Sequence, residues 1–389
     1  MRLKTSAVLG LVAAGSLLLA ACGSSSNSTT SSTSAAASVA GSAASGASSA
    51  ASSAGSAAGS SAAAGGKGKI GVILPDTTTS VRWETQDRPA LEAAFKKAGV
   101  DYDIQNANGD KAAMATIADQ MVANGVTVLA IVNLDPDSGA AIQQKAKTQG
   151  VQTIDYDRLT LGGSADYYVS FDNTEVGKLQ GQGLDKCLGG GNKNIIYLNG
   201  DPGDSNAALF KAGAHSVLDP MTNYKKVGEA DTPKWDAVQG KTLYEGMYTA
   251  ATQGGGTVDG VVAANDGLAG AVISTFAANG VIPVTGQDAT KAGLQAILKG
   301  DQCMTVLKAT SKEAGALSDV AIALANGETP KTTGTVKDTV GNRDVASILE
   351  TPEAITKANV KDAVDAGAVS AADLCTGEYA ALCTTAGIS

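Results

Sequence analysis

From residue 69 onward, short apolar runs alternate with longer stretches in which apolar residues return every three or four positions. Residues 69–74, 101–105, 126–132 and 151–156 read as strands. Between them, Leu91, Ala94, Phe95 and Ala98 share one helix face, as do Met114, Ile117, Ala118, Met121 and Val122, and a third helix spans about 138–148. The run 126–132 is nearly continuous in apolar residues, as a strand covered on both faces requires. Pro89 sits near a helix start, where its missing N–H costs nothing, and Gly99 ends that helix.

The alternation begins again after Tyr167 to Asn173, with strands at 194–198, 224–227, 258–263 and 282–284 and helices at about 206–218, 235–251 and 268–278. The pattern predicts an α/β chain of two doubly wound parallel-sheet lobes joined by a multi-stranded hinge. The strand 168–171 carries the chain from one lobe to the other, with Asp172 and Asn173 beside the pivot. A helix ending near Leu298 and a strand at 303–307 are too few to form a domain, so the economical assignment returns them to the first lobe. That assignment makes Gln287-Asp288 a second crossing, with a third between Lys308 and a helix at 311–325. The expected lobes are 67–172 with 288–309 and 173–287 with 310–340. An extension, 341–389, is expected to pack on the second lobe and hinge.

In open α/β sheets the ligand crevice lies at the carboxyl ends of the strands. Those ends supply Asp76, Arg82, Trp83, Asn108, Arg158, Asp172, Asn173, Asn206, Trp235, Asn265, Asp266, Asp288 and Lys308. The set is rich in planar hydrogen-bonding groups, holds both tryptophans and contains no nucleophile beside a base. Carboxylates and amides grip neighbouring hydroxyls, arginine supplies a fixed fork, and indole covers the C–H face of a ring: this is the chemistry of pyranose binding. Other readings compete at single positions. Trp83 and Trp235 either stack on a ligand or pack in the core, Asp266 caps a helix or binds, and Arg158 pairs with Asp155 or Asp157 or reaches a ligand. Asp172 and Asp288 as a glycosidase couple are disfavoured by their place at expected interlobe crossings.

The remainder of the chain bears on location. Met1-Arg2-Leu3-Lys4 and the apolar run 7–21 read as an export signal, and Leu19-Ala20-Ala21-Cys22-Gly23 resembles a bacterial lipobox that would be cleaved and lipidated at Cys22. Residues 23–66 are almost wholly Ser, Ala, Gly and Thr and have nothing to bury, so they read as a disordered tether of roughly 36 Å root-mean-square span. A net charge of -9 with a pI near 4.7 argues against nucleic acid. The single histidine, His215, leaves no histidine triad or zinc site, and no metal or cofactor is predicted. Four cysteines follow Cys22; Cys375 with Cys383 encloses a short loop, and Cys187 with Cys303 follows by elimination. Cys187 shares a helix face with Val176, Leu179 and Gly183 and is expected to be partly buried.

Taken in order, several stretches resemble the type I periplasmic-binding-protein family, most of all its D-xylose-binding members in ABC sugar transporters. They are Arg82-Trp83 with Asp87-Arg88, Asn106-Ala107-Asn108-Gly109, Tyr156-Asp157-Arg158, Ser170-Phe171-Asp172-Asn173, and Asn206 with Leu209 to Gly213. Ala264-Asn265-Asp266, Gly286-Gln287-Asp288-Ala289, and Met304-Thr305-Val306 with Lys308 continue the series. The resemblance implies that Arg82 and Arg158 bind sugar oxygens and that Trp83 and Trp235 cover the ring. Asp172, Asn173, Asn206, Asp266, Asp288 and Lys308 complete the polar pocket it implies. It also implies a non-catalytic protein delivering D-xylose or another monosaccharide (ribose, arabinose, glucose, galactose) to an ABC permease; together with the lipobox at Cys22, the expectation is a monomeric lipoprotein on the extracytoplasmic face of a bacterial membrane. The loop Asp76-Thr77-Thr78-Thr79-Ser80 departs from the family pattern, which bears on the exact sugar. A sensory receptor of the same fold is the nearest rival. A sugar-responsive repressor would need a basic helix-turn-helix where this chain has a lipobox and tether.

Overall fold

The computed structural model describes residues 67–78 and 80–388. The expected export signal, Cys22 and tether therefore lie outside the described residues. The chain runs β1 (Lys69–Leu74), a π-helical turn (Trp83–Asp87), α1 (Arg88–Ala98), β2 (Tyr102–Asn106), α2 (Lys111–Ala123), β3 (Val126–Ile131), α3 (Pro136–Thr148), β4 (Gln152–Tyr156) and β5 (Tyr167–Phe171). It continues through α4 (Asn173–Leu188), β6 (Lys193–Asn199), α5 (Ser205–Leu218), β7 (Tyr224–Asp231), α6 (Ala237–Thr252), β8 (Gly260–Ala263), α7 (Asp266–Ile273) and α8 (Phe276–Asn279). The returning part comprises α9 (Lys291–Lys299), β9 (Met304–Leu307), α10 (Thr310–Ala325), β10 (Gly334–Asp338), β11 (Arg343–Glu350), β12 (Glu353–Thr356), α11 (Val360–Asp365), α12 (Ala371–Leu374) and α13 (Tyr379–Thr385).

The first lobe is built on a sheet ordered β10-β11-β5-β4-β3-β1-β2, parallel throughout except where β10 runs against β11. Its core lies on both faces: Leu91, Phe95, Leu317 and Val320 on one, Met114, Met121, Ile142 and Leu129 on the other. The second lobe is built on parallel β7-β6-β8. A bridge from Val261 to Val284 and backbone bonds Cys303 N–H to Val284 O and Val306 N–H to Gly286 O extend it toward β9, which pairs with β12. Helices α4 and α5 approach closely at two glycines: a Cβ added to Gly177 would lie 2.0 Å from Phe210 O, and one on Gly213 2.2 Å from Thr174 O.

The returning segment is threaded differently from expectation. Helix α9 and strand β9 stay with the second lobe, since β9 continues its backbone hydrogen-bond network beyond Val284. Helix α10 belongs to the first lobe, where Ala314, Leu317, Val320, Ala321 and Leu324 share a core with Leu91 and Phe95. One helix, α1, would leave much of that sheet face bare, and α10 covers it. Gln287-Asp288 is consequently not a crossing, and Asp288 N–H bonds Val306 O within the second lobe. The crossings fall at Asp172, at Lys308-Ala309, and at Thr351-Pro352 between β11 and β12. Strand β10, expected with the second lobe, joins the first sheet, and the extension divides: β11 joins that sheet too, while β12 and α11 to α13 pack with α9.

Both expected disulfides are present, Cys187–Cys303 and Cys375–Cys383, with Cα–Cα distances of 6.3 and 5.7 Å. Because α4 and β9 share a lobe, the Cys187–Cys303 bridge leaves the hinge free. Cys187 itself is exposed, because in the last turn of α4 the core-facing places are taken by Leu184 and Leu188.

Candidate functional site

A cavity of about 40 Å³ lies between the lobes. The first lobe lines it with Ser80, Arg82 and Trp83 after β1 and with Asp157 and Arg158 after β4. The second contributes Asp204, Asn206 and Phe210 at the start of α5, Trp235 after β7, Asn265 after β8, and Gln287 and Asp288 before α9, while Lys308 enters from the second crossing. Asp204 is the N-cap of α5, accepting the Asn206 N–H at 2.9 Å, and Asn265 caps α7, accepting the Leu268 N–H at 2.9 Å. Helix starts thus point polar side chains at the cleft because capping residues stand where strands end.

Asp157 is the centre of the arrangement. Its Oδ2 accepts from Arg82 Nη1 at 3.2 Å and Lys308 Nζ at 3.4 Å, and its Oδ1 accepts from Asn206 Nδ2 at 3.1 Å. Its backbone oxygen accepts from Asn206, Tyr168 and Ser170. Burial alone would raise the carboxyl, but Lys308, Arg82 and Arg158 hold it down at about 2. Arg82 is fixed from behind: Nε and Nη2 each donate to Asp87 at 2.9 Å, and Nη2 donates to Glu313 Oε2 at 2.5 Å. Asp87 also accepts from Tyr156 OH. Burial outweighs Arg82 at Glu313 and pushes that carboxyl up to about 8. Across the cleft Arg158 Nε faces Asp204 Oδ2 at 3.1 Å, and the same oxygen accepts from Trp235 Nε1 at 3.2 Å.

The backbone is forced at this site. Asp157, Trp235 and Asp288 have φ of 62°, 55° and 99°, left-handed values that non-glycine residues adopt rarely. Gly200 makes room for the Trp235 indole, since a Cβ there would come within 2.0 Å of the ring. Trp83 combines both readings of its role: it is buried in the first-lobe core, it lines the cavity, and the Arg82 guanidinium lies 4.4 Å from its ring centroid. Its Nε1 is buried with no partner among the described residues.

Of the expected site residues, Arg82, Trp83, Arg158, Asn206, Trp235, Asn265, Asp288 and Lys308 converge on the cavity. The other five sit elsewhere. Asp76 is buried at the end of β1, accepts the Thr78 N–H at 2.7 Å and acts electrostatically on Arg158. Asn108 is an exposed turn residue with φ 52°. Asp172 caps α4, and Asn173 stands behind the cavity, donating to Asn206 Oδ1 at 2.8 Å. Asp266 is buried inside the second lobe, accepting from Gln302, Thr305 and Thr290, and burial pushes it up to about 6. Asp172 and Asp288 therefore do not face one bond, as a hydrolytic pair must. Asp157, Asp204, Ser80, Phe210 and Gln287 were missing from the expected set. Asp157 was detectable as the last residue before Arg158 at the end of a buried strand, and Asp204 as the cap two residues before Asn206.

Among the described residues no cluster of three or more His, Cys, Asp or Glu side chains is arranged to hold a metal ion. No described helix is long and apolar enough to cross a membrane. Residues 70–329 match the sequence profile of the periplasmic binding protein domain. The chain belongs to that family. Family membership places it among non-catalytic solute-binding proteins. The chain is 33% identical over 299 residues to the D-xylose-binding periplasmic protein of Escherichia coli K12, covering 76% of this chain and 89% of that one. It is 32% identical to the multiple sugar-binding periplasmic receptor ChvE of Rhizobium radiobacter, covering 80% and 93%. A carbohydrate transporter solute-binding protein from Chloroflexus aurantiacus, solved with D-glucose, superposes with a TM-score of 0.71 at 33% identity, covering 78% of this chain and 97% of that one.

Proposed function

We propose that the protein is the extracytoplasmic solute-binding component of an ABC sugar transporter. In this reading it takes up a monosaccharide, D-xylose foremost, between its lobes and is held to the membrane as a lipoprotein through Cys22 and the tether 23–66. The observation that carries the reading is the charge balance of the cavity. Arg82, Arg158 and Lys308 stand against Asp157, Asp204 and Asp288, so the lining has strong donors and acceptors without a net demand for a charged ligand. A polyol satisfies both kinds of group at once, and the indoles of Trp83 and Trp235 suit the apolar face of its ring.

The cycle has no covalent step. Sugar enters an open cleft and the lobes rotate about the crossings at Asp172, Lys308-Ala309 and Thr351-Pro352. Hydroxyls take over the bonds that Asn206 makes with Asp157 and Arg158 makes with Asp204 across the cleft. Because both lobes supply partners, ligand stabilises the closed population, which a permease can tell from the open one.

Calorimetric titration against D-xylose, ribose, arabinose, glucose and galactose tests the proposal. Tight binding of D-xylose is expected; binding of another sugar in its place would remove the xylose assignment, and no heat from any of them would remove the sugar assignment. A sensory role is the second reading, motivated by the likeness to a relative described as a receptor. Loss of sugar uptake on deleting the gene separates the two.

A further inference from the structure

A second chamber of about 430 Å³ adjoins the first. The two share Ser80, Arg82, Asp288 and Lys308 as walls, so the residues that close one side of the sugar cavity open one side of the chamber. The rest of the lining comes from Val81, from Thr85 and Gln86 on the π-helical turn, from the start of α9, from Thr310 at the start of α10, and from residues 367–370 with Asp373 in the C-terminal extension. We propose that this chamber is a second sugar subsite, holding the further ring of a neutral disaccharide whose first ring occupies the cavity beside Asp157.

The chemistry of the walls supports a neutral, hydroxylated occupant. Beyond the shared residues, the charged groups are one lysine, Lys291, and one aspartate, Asp373, while Thr85, Gln86, Thr290 and Ser370 offer hydroxyls and an amide. The space is ample for a pyranose ring, whereas the first cavity is confined. The wall in the extension is held firmly. Gln86 Nε2 donates to Ala368 O at 3.0 Å, from the first lobe to the extension. Gln295 on α9 donates to Leu374 O at 2.9 Å, and Leu374 and Cys383 are buried with Leu294, Ile297 and Leu298 of α9. The Cys375–Cys383 bridge closes the turn that follows. The disulfide-bearing tail, which makes no contribution to the first cavity, thereby acquires a ligand role as the floor of the second.

The inference rests on the first cavity holding a sugar, and the experiment separates the two claims. The full chain is titrated with D-xylose and xylobiose and with D-glucose and cellobiose. In parallel, Thr85→Trp fills the chamber from the first lobe and Lys291→Trp from α9, at exposed positions outside the first cavity. For whichever monosaccharide binds, the matching disaccharide is expected to bind the wild-type protein. Either tryptophan is expected to weaken the disaccharide at least about tenfold while leaving the monosaccharide unchanged, because filling a subsite removes only the contacts made there. A monosaccharide that binds while its disaccharide does not overturns the subsite and leaves the proposed function standing. So does disaccharide binding that both tryptophans leave intact. Failure of all four sugars overturns the D-xylose assignment and the subsite with it, while the sugar assignment itself falls only if ribose, arabinose and galactose give no heat either.

Discussion

Replacing Asp157 by Asn removes one negative charge from between Arg82 and Lys308 while keeping the size of the side chain. The carboxyl lies at about 2 against an ordinary 3.8, a difference worth about 2 kcal/mol of folding stability. The sign follows from the direction. A lowered carboxyl contributes its full stabilisation above the unfolded value of 3.8 and loses it as the pH falls toward 2. Denaturant unfolding of the wild-type and Asp157→Asn proteins from pH 7 to pH 2 is therefore expected to show a gap of about 2 kcal/mol at neutral pH that closes through the window from 3.8 down to about 2. The same substitution replaces charge-assisted hydrogen bonds by neutral ones, so sugar affinity at pH 7 is expected to fall by about ten- to a hundredfold. A stability gap that is absent at neutral pH, or that persists unchanged at pH 2, would refute the central placement of this carboxylate.

Gly200→Ala is expected to push the Trp235 indole aside, given a Cβ approach of 2.0 Å, and to weaken sugar binding about tenfold by titration with little change in melting temperature. The Cys187→Ser, Cys303→Ser pair is expected to lose about 2–4 kcal/mol of stability in denaturant, yet to keep its sugar affinity, since the bridge lies within one lobe; a collapse of affinity would place it in the hinge. Burial pushes Asp155 up to about 7 despite hydrogen bonds from Thr160 and Gln143, so its charging opposes folding as the pH rises from 3.8 through 7. Asp155→Asn is expected to flatten the fall in stability over that window, and a profile as steep as wild type would count against it.

The order of strands and helices and the lobe repeat were legible because they depend on local periodicity. A buried parallel strand must be apolar on both faces, and an amphipathic helix must repeat at 3.6 residues, whatever stands beside it. The first crossing was legible too, since β5 ends directly in the cap of α4 at Asp172. The disulfide pairs followed from the even count of cysteines after Cys22 and the short spacing of one pair.

The tertiary structure decided what pattern leaves open. Helix α10 is amphipathic in sequence, and only the bare face beside α1 selects the first lobe for it. Asp266 and Asp288 are both acids close to the ends of second-lobe strands. Four side-chain and backbone donors bury the first among themselves, whereas a left-handed backbone leaves the second at the cavity. Asp157 became the hub through partners drawn from three distant stretches, Arg82, Asn206 and Lys308. The sequence by itself determined which elements form and which kinds of polar group end the strands, since both follow from neighbours along the chain. Which of those groups meet was decided only when the lobes and their returning segment packed, because a charge or an amide takes its role from what stands across the cleft.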